Sequence, residues 1–330
     1  MILILTLACL SQVNQTESDP AGRLRDEMPA ALKQLESVLS QAQAEARLVE
    51  RQGEFQSEYQ VRLWIDGPRQ RCDLVWTKEF AGHPQGYEQM FVQNEANGFE
   101  LAHDPDSKSK PMIRSLGPPG EEYESGVGYY ARRHLHAPIG LDRPLTTLME
   151  EPSFRFEAVT ALEREGRRLI RAEFRIIPTR PLPIFVEPIL AAKSVKGWVI
   201  FDPEARWAIQ EMEVTAEMTN GQTMTRLNRV EYAPIEGDPA QAVPLPRKVV
   251  QTWNTTDRDP ATITLEFDAI RLEPTPADQF TLAAFGLGDL ATPGGAGGNE
   301  WLWVVAALAL AGIVAILVVM RTRRRNTATA

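Results

Sequence analysis

Twenty consecutive residues, Trp301 to Met320, carry no charge and no strongly polar side chain: WLWVVAALALAGIVAILVVM. A helix rises about 1.5 Å per residue, so such a run spans roughly 30 Å, the hydrocarbon thickness of a bilayer. A soluble helix of that length would keep a polar stripe, and this one has none. Trp301 and Trp303 stand at one end, where indoles favour the headgroup region, and Arg321, Arg323, Arg324 and Arg325 stand at the other. The positive-inside rule then predicts a transmembrane helix over 301–320, a cytoplasmic basic tail over 321–330, and the bulk of the chain outside the cytoplasm. The plainer alternative is a buried apolar helix.

Residues 1–19 form a signal-like or leader segment. MILILTLACLSQ is apolar but short and lacks a basic start. It fits either a signal peptide or a signal whose Cys9 becomes lipidated; Ala8 suits lipidation and Leu7 does not. The formal net charge is −9, and the last thirty residues hold four arginines and no acid. The remaining 300 residues carry 31 basic and 44 acidic side chains, a balance of −13. That excludes nucleic acid as a partner, because nucleic acid needs a basic face. Cys72 is the one cysteine outside the leader, so the fold must rest on an ordinary apolar core.

Leu32, Leu35, Leu39, Ala42, Ala46 and Val49 recur at steps of three and four. This spacing predicts an amphipathic helix from about Pro29 to Gln52, with Pro29 in its first turn and Gly53 as its stop. From Glu58 the period becomes two. EYQVRLWI and RCDLVW read as strands, and MFVQNEANGFELAH as two strands around Asn97–Gly98. SFRFEAVTALEREGRRLIRAEFRII reads as a hairpin turning at Glu165–Gly166. Further strands meet at Asp202–Ala205 and at Asn220–Gly221, and RKVVQTWN and TITLEFDAIRL add two more. In the last of these, Ile263, Leu265 and Phe267 share a parity that Ile270 and Leu272 reverse, which predicts a bulge near Ala269. DRPLTTLMEE predicts a short helix capped by Asp142, with Pro144 in its first turn. Residues 178–188, rich in proline, read as a loop, and residues 286–300 as a glycine-rich tether. The fold class expected is mainly β (α+β): one strongly curved antiparallel sheet, an unclosed barrel of about 11–12 strands, covered by the N-terminal helix.

Over residues 29–285 this order of elements resembles the lipoprotein-carrier superfamily of the LolA/LolB type, which includes RseB-type sensors. The resemblance is carried by the N-terminal helix, GEF leading into the first strand, GWVIFDPEARWAIQEMEV, NGQTMTRLNRVEY, PLPRKVVQTW, and the closing DQFTL at Asp278–Leu282. It implies a lipoprotein-carrier-like domain over 20–285, on the periplasmic side, that holds acyl chains or apolar peptides in the hollow of the sheet. The soluble carriers lack a membrane helix. A tethered relative does not shuttle between membranes, which favours a sensor or a local acceptor.

Little in the chain suggests catalysis. No G-x-S-x-G, phosphate-binding glycine loop or H-E-x-x-H occurs. His134 and His136 lack a third ligand at metal-binding spacing, Cys72 has an apolar parity, and Glu121, Glu122 and Glu124 fit a solvated loop. No enzyme activity, cofactor or metal is therefore expected. TPGGAGG ahead of the apolar run fits a plain tether, or a processing signal. The residues expected to line the hollow are Leu35, Val61, Leu63, Leu74, Trp76, Phe174, Trp198, Trp207, Ile209, Val214, Leu265 and Phe267. The partners expected are a lipid or an acylated protein, and the membrane itself through the C-terminal helix. The competing reading is a sensor or scaffold ectodomain in which those residues close a filled core. The topology is testable in intact cells. A cysteine placed on the surface of the main domain should react with a membrane-impermeant reagent, and one placed after Arg325 should be protected; the opposite pattern reverses the assignment.

Overall fold

In the computed structural model, residues 19–79, 82–107, 109–119, 135–140, 144–178, 192–234, 242–256 and 258–288 are described. The chain divides into two units, 1–285 and 286–330. The expected membrane span and basic tail, the leader with Cys9, and His134, Asp142 and the glutamates 121, 122 and 124 all lie outside the described residues. Among the described residues no helix is long and apolar enough to cross a membrane.

The first element is a helix, α1, over Pro20–Leu39. Its start is encoded by DP: the Asp19 carboxylate accepts from the Ala21 N–H at 3.1 Å, and Pro20 takes the first helical position. Leu24, Met28, Leu32, Leu35 and Leu39 form its buried stripe. The helix expected over 29–52 is thus corrected at both ends. Pro29 sits in its interior rather than its first turn. At Ser40 the helix ends, with the Ser40 N–H on the Glu36 carbonyl and its hydroxyl on that of Ser37.

Residues Gln41–Gln52 are a strand, β1. Its sequence is written in good helix formers, and Ala42 and Ala46 are spaced for a helix as well as for a strand. Tertiary pairing overrides that propensity. Each residue of β1 is matched across β2, from Gln41↔Asp66 to Gln52↔Phe55, and β13 pairs along its other side. Ala42, Ala44, Ala46 and Leu48 are buried in strict alternation.

Twelve further strands follow among the described residues: β2 Phe55–Asp66, β3 Arg69–Trp76, β4 Glu88–Gln93, β5 Gly98–His103, β6 Met112–Gly117, β7 Arg155–Arg164, β8 Arg167–Ile176, β9 Ala192–Asp202, β10 Ala208–Met218, β11 Thr223–Tyr232, β12 Pro246–Thr255 and β13 Arg258–Arg271. All join one curved, unclosed antiparallel sheet in the order β6-β5-β4-β3-β2-β1-β13-β12-β11-β10-β9-β8-β7. Every neighbour is a sequence neighbour except β1 and β13, which join two meanders. The edges are β6 and β7. The β7–β8 turn places both Glu165 (φ 54°) and Gly166 (φ 75°) in the left-handed region, the geometry that a two-residue hairpin turn of this twist needs. The expected bulge is present: Glu45 faces Ala269 and Ala46 faces Phe267, so Asp268 is the extra residue. The short helix covers Leu145–Met149, with Pro144 at the cap position.

Two large apolar clusters, and a small one of Ala137, Val230 and Val249, are found among the described residues of the inner face. One joins the stripe of α1 to Ile170, Phe174, Val199, Phe201, Ile209, Met212 and Val214 on β8–β10. The other joins β1–β3 and β13 through Leu48, Val61, Leu63, Leu74, Ile263 and Leu265. On β4 and β5 the buried positions switch faces: Met90, Val92, Phe99 and Leu101 stand opposite Asp73 and Arg71 rather than Cys72 and Leu74. The C-terminal segment packs near them on this outer face. Phe285 meets Phe99 edge to face, and the Asn94 amide donates to the Phe280 carbonyl at 2.8 Å. The Arg71 guanidinium lies 4.5 Å from the Trp64 ring and 4.4 Å from the Phe285 ring and pairs with buried Asp73 at 2.7 Å. The closing DQFTL therefore straps the outside of the sheet.

Leu35 is fully buried between α1 and the sheet. Leu35→Asp should lower stability by several kcal/mol, because it buries an unpaired carboxylate. A wild-type melting temperature in that variant would show that the stripe does not carry the helix.

Candidate binding cleft

Between α1 and the edge strand β7 lies a cavity of about 500 Å³. Leu24, Met28 and Pro29 supply its helix wall, and Met149, Phe154, Phe156 and Val159 the facing wall, with Arg25, Arg155 and Glu157 also lining it. The space follows from local sequence. β7 is the last strand of the sheet and most of its side chains are exposed, with Phe156, Val159 and Leu162 half-buried. The facing wall is built on aromatic contacts. Phe154 stacks on Phe174 with ring centroids 5.6 Å apart and meets Phe156 edge to face at 5.0 Å. Phe174 has its place because Gly197 lies opposite it. A Cβ added to Gly197 would stand 2.7 Å from the Phe174 ring and 2.1 Å from the Glu213 carbonyl oxygen.

A polar clasp fastens the N-terminal turns of α1 to the β9–β10 turn. Glu27 accepts from the Arg23 guanidinium at 3.0 and 3.1 Å and from the Trp207 indole N–H at 3.3 Å. The Arg23 cation also sits 5.7 Å from the Trp207 ring. Arg206 (φ 55°) and Trp207 (φ 61°) both adopt left-handed backbone, a strained arrangement for side chains of this size. Asp202 organises this turn: one carboxylate oxygen accepts from the Glu204 and Ala205 N–H groups, and the other pairs with Arg167 at 3.1 Å. The Arg23 hydrogen bond, then the Trp207 bond, hold the Glu27 carboxyl below the usual carboxylate range.

The residues expected to line the hollow do not share one site, and none of them lines this cavity. Leu35, Phe174, Trp207, Ile209 and Val214 lie in the α1 cluster; Val61, Leu63, Leu74, Trp76 and Leu265 lie in the other, with Phe267 half-buried against it. Trp198 faces away from α1, a correction to its expected place. It pairs in register with Glu173 and Glu213, donates its indole N–H to Glu213 at 3.2 Å, and lies 4.7 Å from the Arg171 guanidinium. Its parity is that of the charged residues beside it. Leu24, Met28, Phe154 and Phe156 escaped the sequence reading. The first two lie between the leader at 1–19 and the helix expected from Pro29, and the signal that would have found them is the DP cap.

Other candidate groups supply little chemistry. Burial, and then Asp73, push the Cys72 thiol well above its ordinary range, which disfavours the thiolate. The His136 ring nitrogen lies 3.4 Å from the Leu39 carbonyl oxygen. Among the described residues no cluster of three His, Cys, Asp or Glu side chains gathers at metal-binding distance. A second cavity of about 520 Å³ is lined by Arg167, Asp202, Glu204, Gln210 and Glu231 together with Ala205, Val230, Tyr232 and Pro244, so charged groups make up more of its wall than of the cleft under α1.

No family model and no curated protein matches the chain. Among solved structures it is similar to a LolA superfamily protein from Nitrosomonas europaea, at 11% identity and a TM-score of 0.41 over 77% of this chain and 97% of that one. The first of these neighbours carries the name of the superfamily that the sequence resembles. The chain is also similar to a DUF1329 family protein from Desulfovibrio piger, at 9% identity and a TM-score of 0.41 over 81% and 100% of the two chains. A third likeness is to the Mycobacterium tuberculosis lipoprotein LppX, at 10% identity and a TM-score of 0.28 over 79% and 100%.

The clasp should titrate. Glu27 has a depressed carboxyl in the folded state, so its stabilising contribution is complete above the unfolded value near 4.5 and is lost as pH falls through the folded one. The difference in melting temperature between the wild type and Glu27→Gln should therefore be present at pH 7 and shrink steadily below pH about 4.5. A gap that stays constant down to acid unfolding would remove Glu27 from the clasp.

Proposed function

We propose that residues 20–285 form an extracytoplasmic binding domain, tethered through 286–300 to a membrane span at 301–320, that holds an acyl chain or a similar apolar ligand. The ligand lies in the cleft between α1 and β7. The observation that carries this reading is the cavity itself. Its volume of about 500 Å³ falls in the range of small-molecule sites, and its walls are mostly apolar with a few charged groups. Each methylene moved from water into such a wall contributes about 0.8 kcal/mol, so part of one lipid tail suffices for measurable binding. Arg25 and Arg155 suit the carboxylate or phosphate end of such a molecule. The clasp of Arg23, Glu27 and Trp207 holds the N-terminal turns of α1, and so the helix wall, in place.

A second reading has its own support. Val61, Leu63 and Leu74 are buried to within 2% of completeness, as in a filled core. A sensor or scaffold that meets protein partners needs no more than that. Titration of a fluorescent fatty-acid analogue into tag-free protein separates the two. The first reading expects saturable binding that Val159→Glu or Phe156→Glu, both at half-buried positions of the facing wall, weakens at least tenfold, with the fold retained. Absence of saturation up to the solubility limit, or equal binding by both variants, would leave the second.

A further inference from the structure

The opposite edge of the sheet has a different character. Of the six large apolar side chains that are exposed among the described residues, three belong to β6: Met112 at 58%, Ile113 at 40% and Leu116 at 43%. Among the described residues 109–119, SKPMIRSLGPP, Lys110 and Arg114 are basic and none is acidic, in a body whose balance is −13. Exposed apolar side chains beside basic ones form the pattern of an interfacial surface, where the first enter the acyl boundary and the second meet lipid phosphates.

We propose that β6 and the basic residues beside it dock the domain on an anionic lipid surface. Register supports the geometry. Glu100 faces Ser115 and Leu101 faces Ile113, so Arg114 is a bulge residue. The bulge brings both Ile113 and Leu116 opposite the outer-face residues Leu101 and Phe99. The two exposed side chains thereby extend the apolar outer face, whose Phe99 meets Phe285 of the C-terminal strap. Arg114 is anchored, its guanidinium donating to the Tyr87 hydroxyl at 3.2 Å.

A second copy of the chain is the other natural occupant of an unpaired edge, and β6 is poorly made for it. The strand is six residues long, is preceded by Pro111, and is bulged at a cation, all devices that blunt edge-to-edge pairing. A lipid surface demands no strand register and uses the basic side chains directly. The proposal does not depend on the cleft, which lies at the other edge of the sheet.

The test uses the full chain with Cys9→Ser, reconstituted in vesicles of phosphatidylcholine and phosphatidylglycerol at three to one. Cys72 is buried with a disfavoured thiolate and stays unlabelled. A polarity-sensitive fluorophore is placed at Ile113→Cys, at Leu116→Cys, or at exposed Asn220→Cys as the control. Positions 113 and 116 should show a severalfold rise in emission and a blue shift that brominated lipid quenches, while position 220 stays aqueous. The double change Lys110→Gln, Arg114→Gln should cut that rise at least threefold while the protein stays folded, as read by its far-UV circular dichroism. Three results overturn the proposal: positions 113 and 116 as aqueous as 220, an equal rise in vesicles of phosphatidylcholine alone, or a rise that follows protein concentration without lipid and so reports a second copy.

Discussion

The pairing of β1 with β13 is the interaction on which the rest of the sheet depends. Every other strand pair links sequence neighbours and is local. This one closes a loop of some two hundred residues, with Glu50 opposite Ile263 and Gln52 opposite Ala261. Without it the two meanders are separate ribbons, each with one more raw edge. The entropy of closing so long a loop grows only slowly with its length, so the cost is tolerable. The kinetic consequence is larger, since long-range strand pairing is slow. β1 meets the demand with small side chains. Ala42, Ala44 and Ala46 let the inner face close around Val61, Leu63 and Ile65 of the neighbouring strand.

Coverage of the sheet is uneven, and the uneven parts are where chemistry gathers. The stripe of α1 seals the β8–β10 side of the inner face, and the C-terminal strap packs against the outer face of β3–β5. Besides the cavity at the β9–β10 turn, what stays open among the described residues includes both margins. β7 leaves a cleft under α1, and β6 leaves a bulged, basic and apolar edge. A continuous sheet thus separates a candidate interior site from a candidate surface site by its full width.

Much of this architecture is written in the sequence as alternation. The strands at 58–65, 71–76, 167–176 and 247–254 and the turn at Glu165–Gly166 appear where parity and turn chemistry place them. The bulge at Asp268 is legible as a break in parity between Phe267 and Ile270. The failures share a cause. Alanine, glutamine and arginine in β1 favour a helix locally, and only the partners on both sides make it a strand. Trp198 looked like an inner residue because tryptophan is apolar, yet its indole N–H and its ring face suit the charged outer surface equally well. The cleft was invisible because it depends on where a helix stops covering a sheet. That is a property of two elements far apart in the chain, not of any one pattern.

Gly197 gives the cleft a control point outside its own wall. The glycine touches none of the space under α1, but it fixes how close Phe174 lies to the sheet, and Phe174 in turn seats Phe154. Relatives of this chain that differ at this one position would carry a shallower or displaced aromatic wall while keeping every cleft-lining residue. The depth of the cleft would then diverge between them with no change in its lining, and a comparison limited to lining residues would miss the cause.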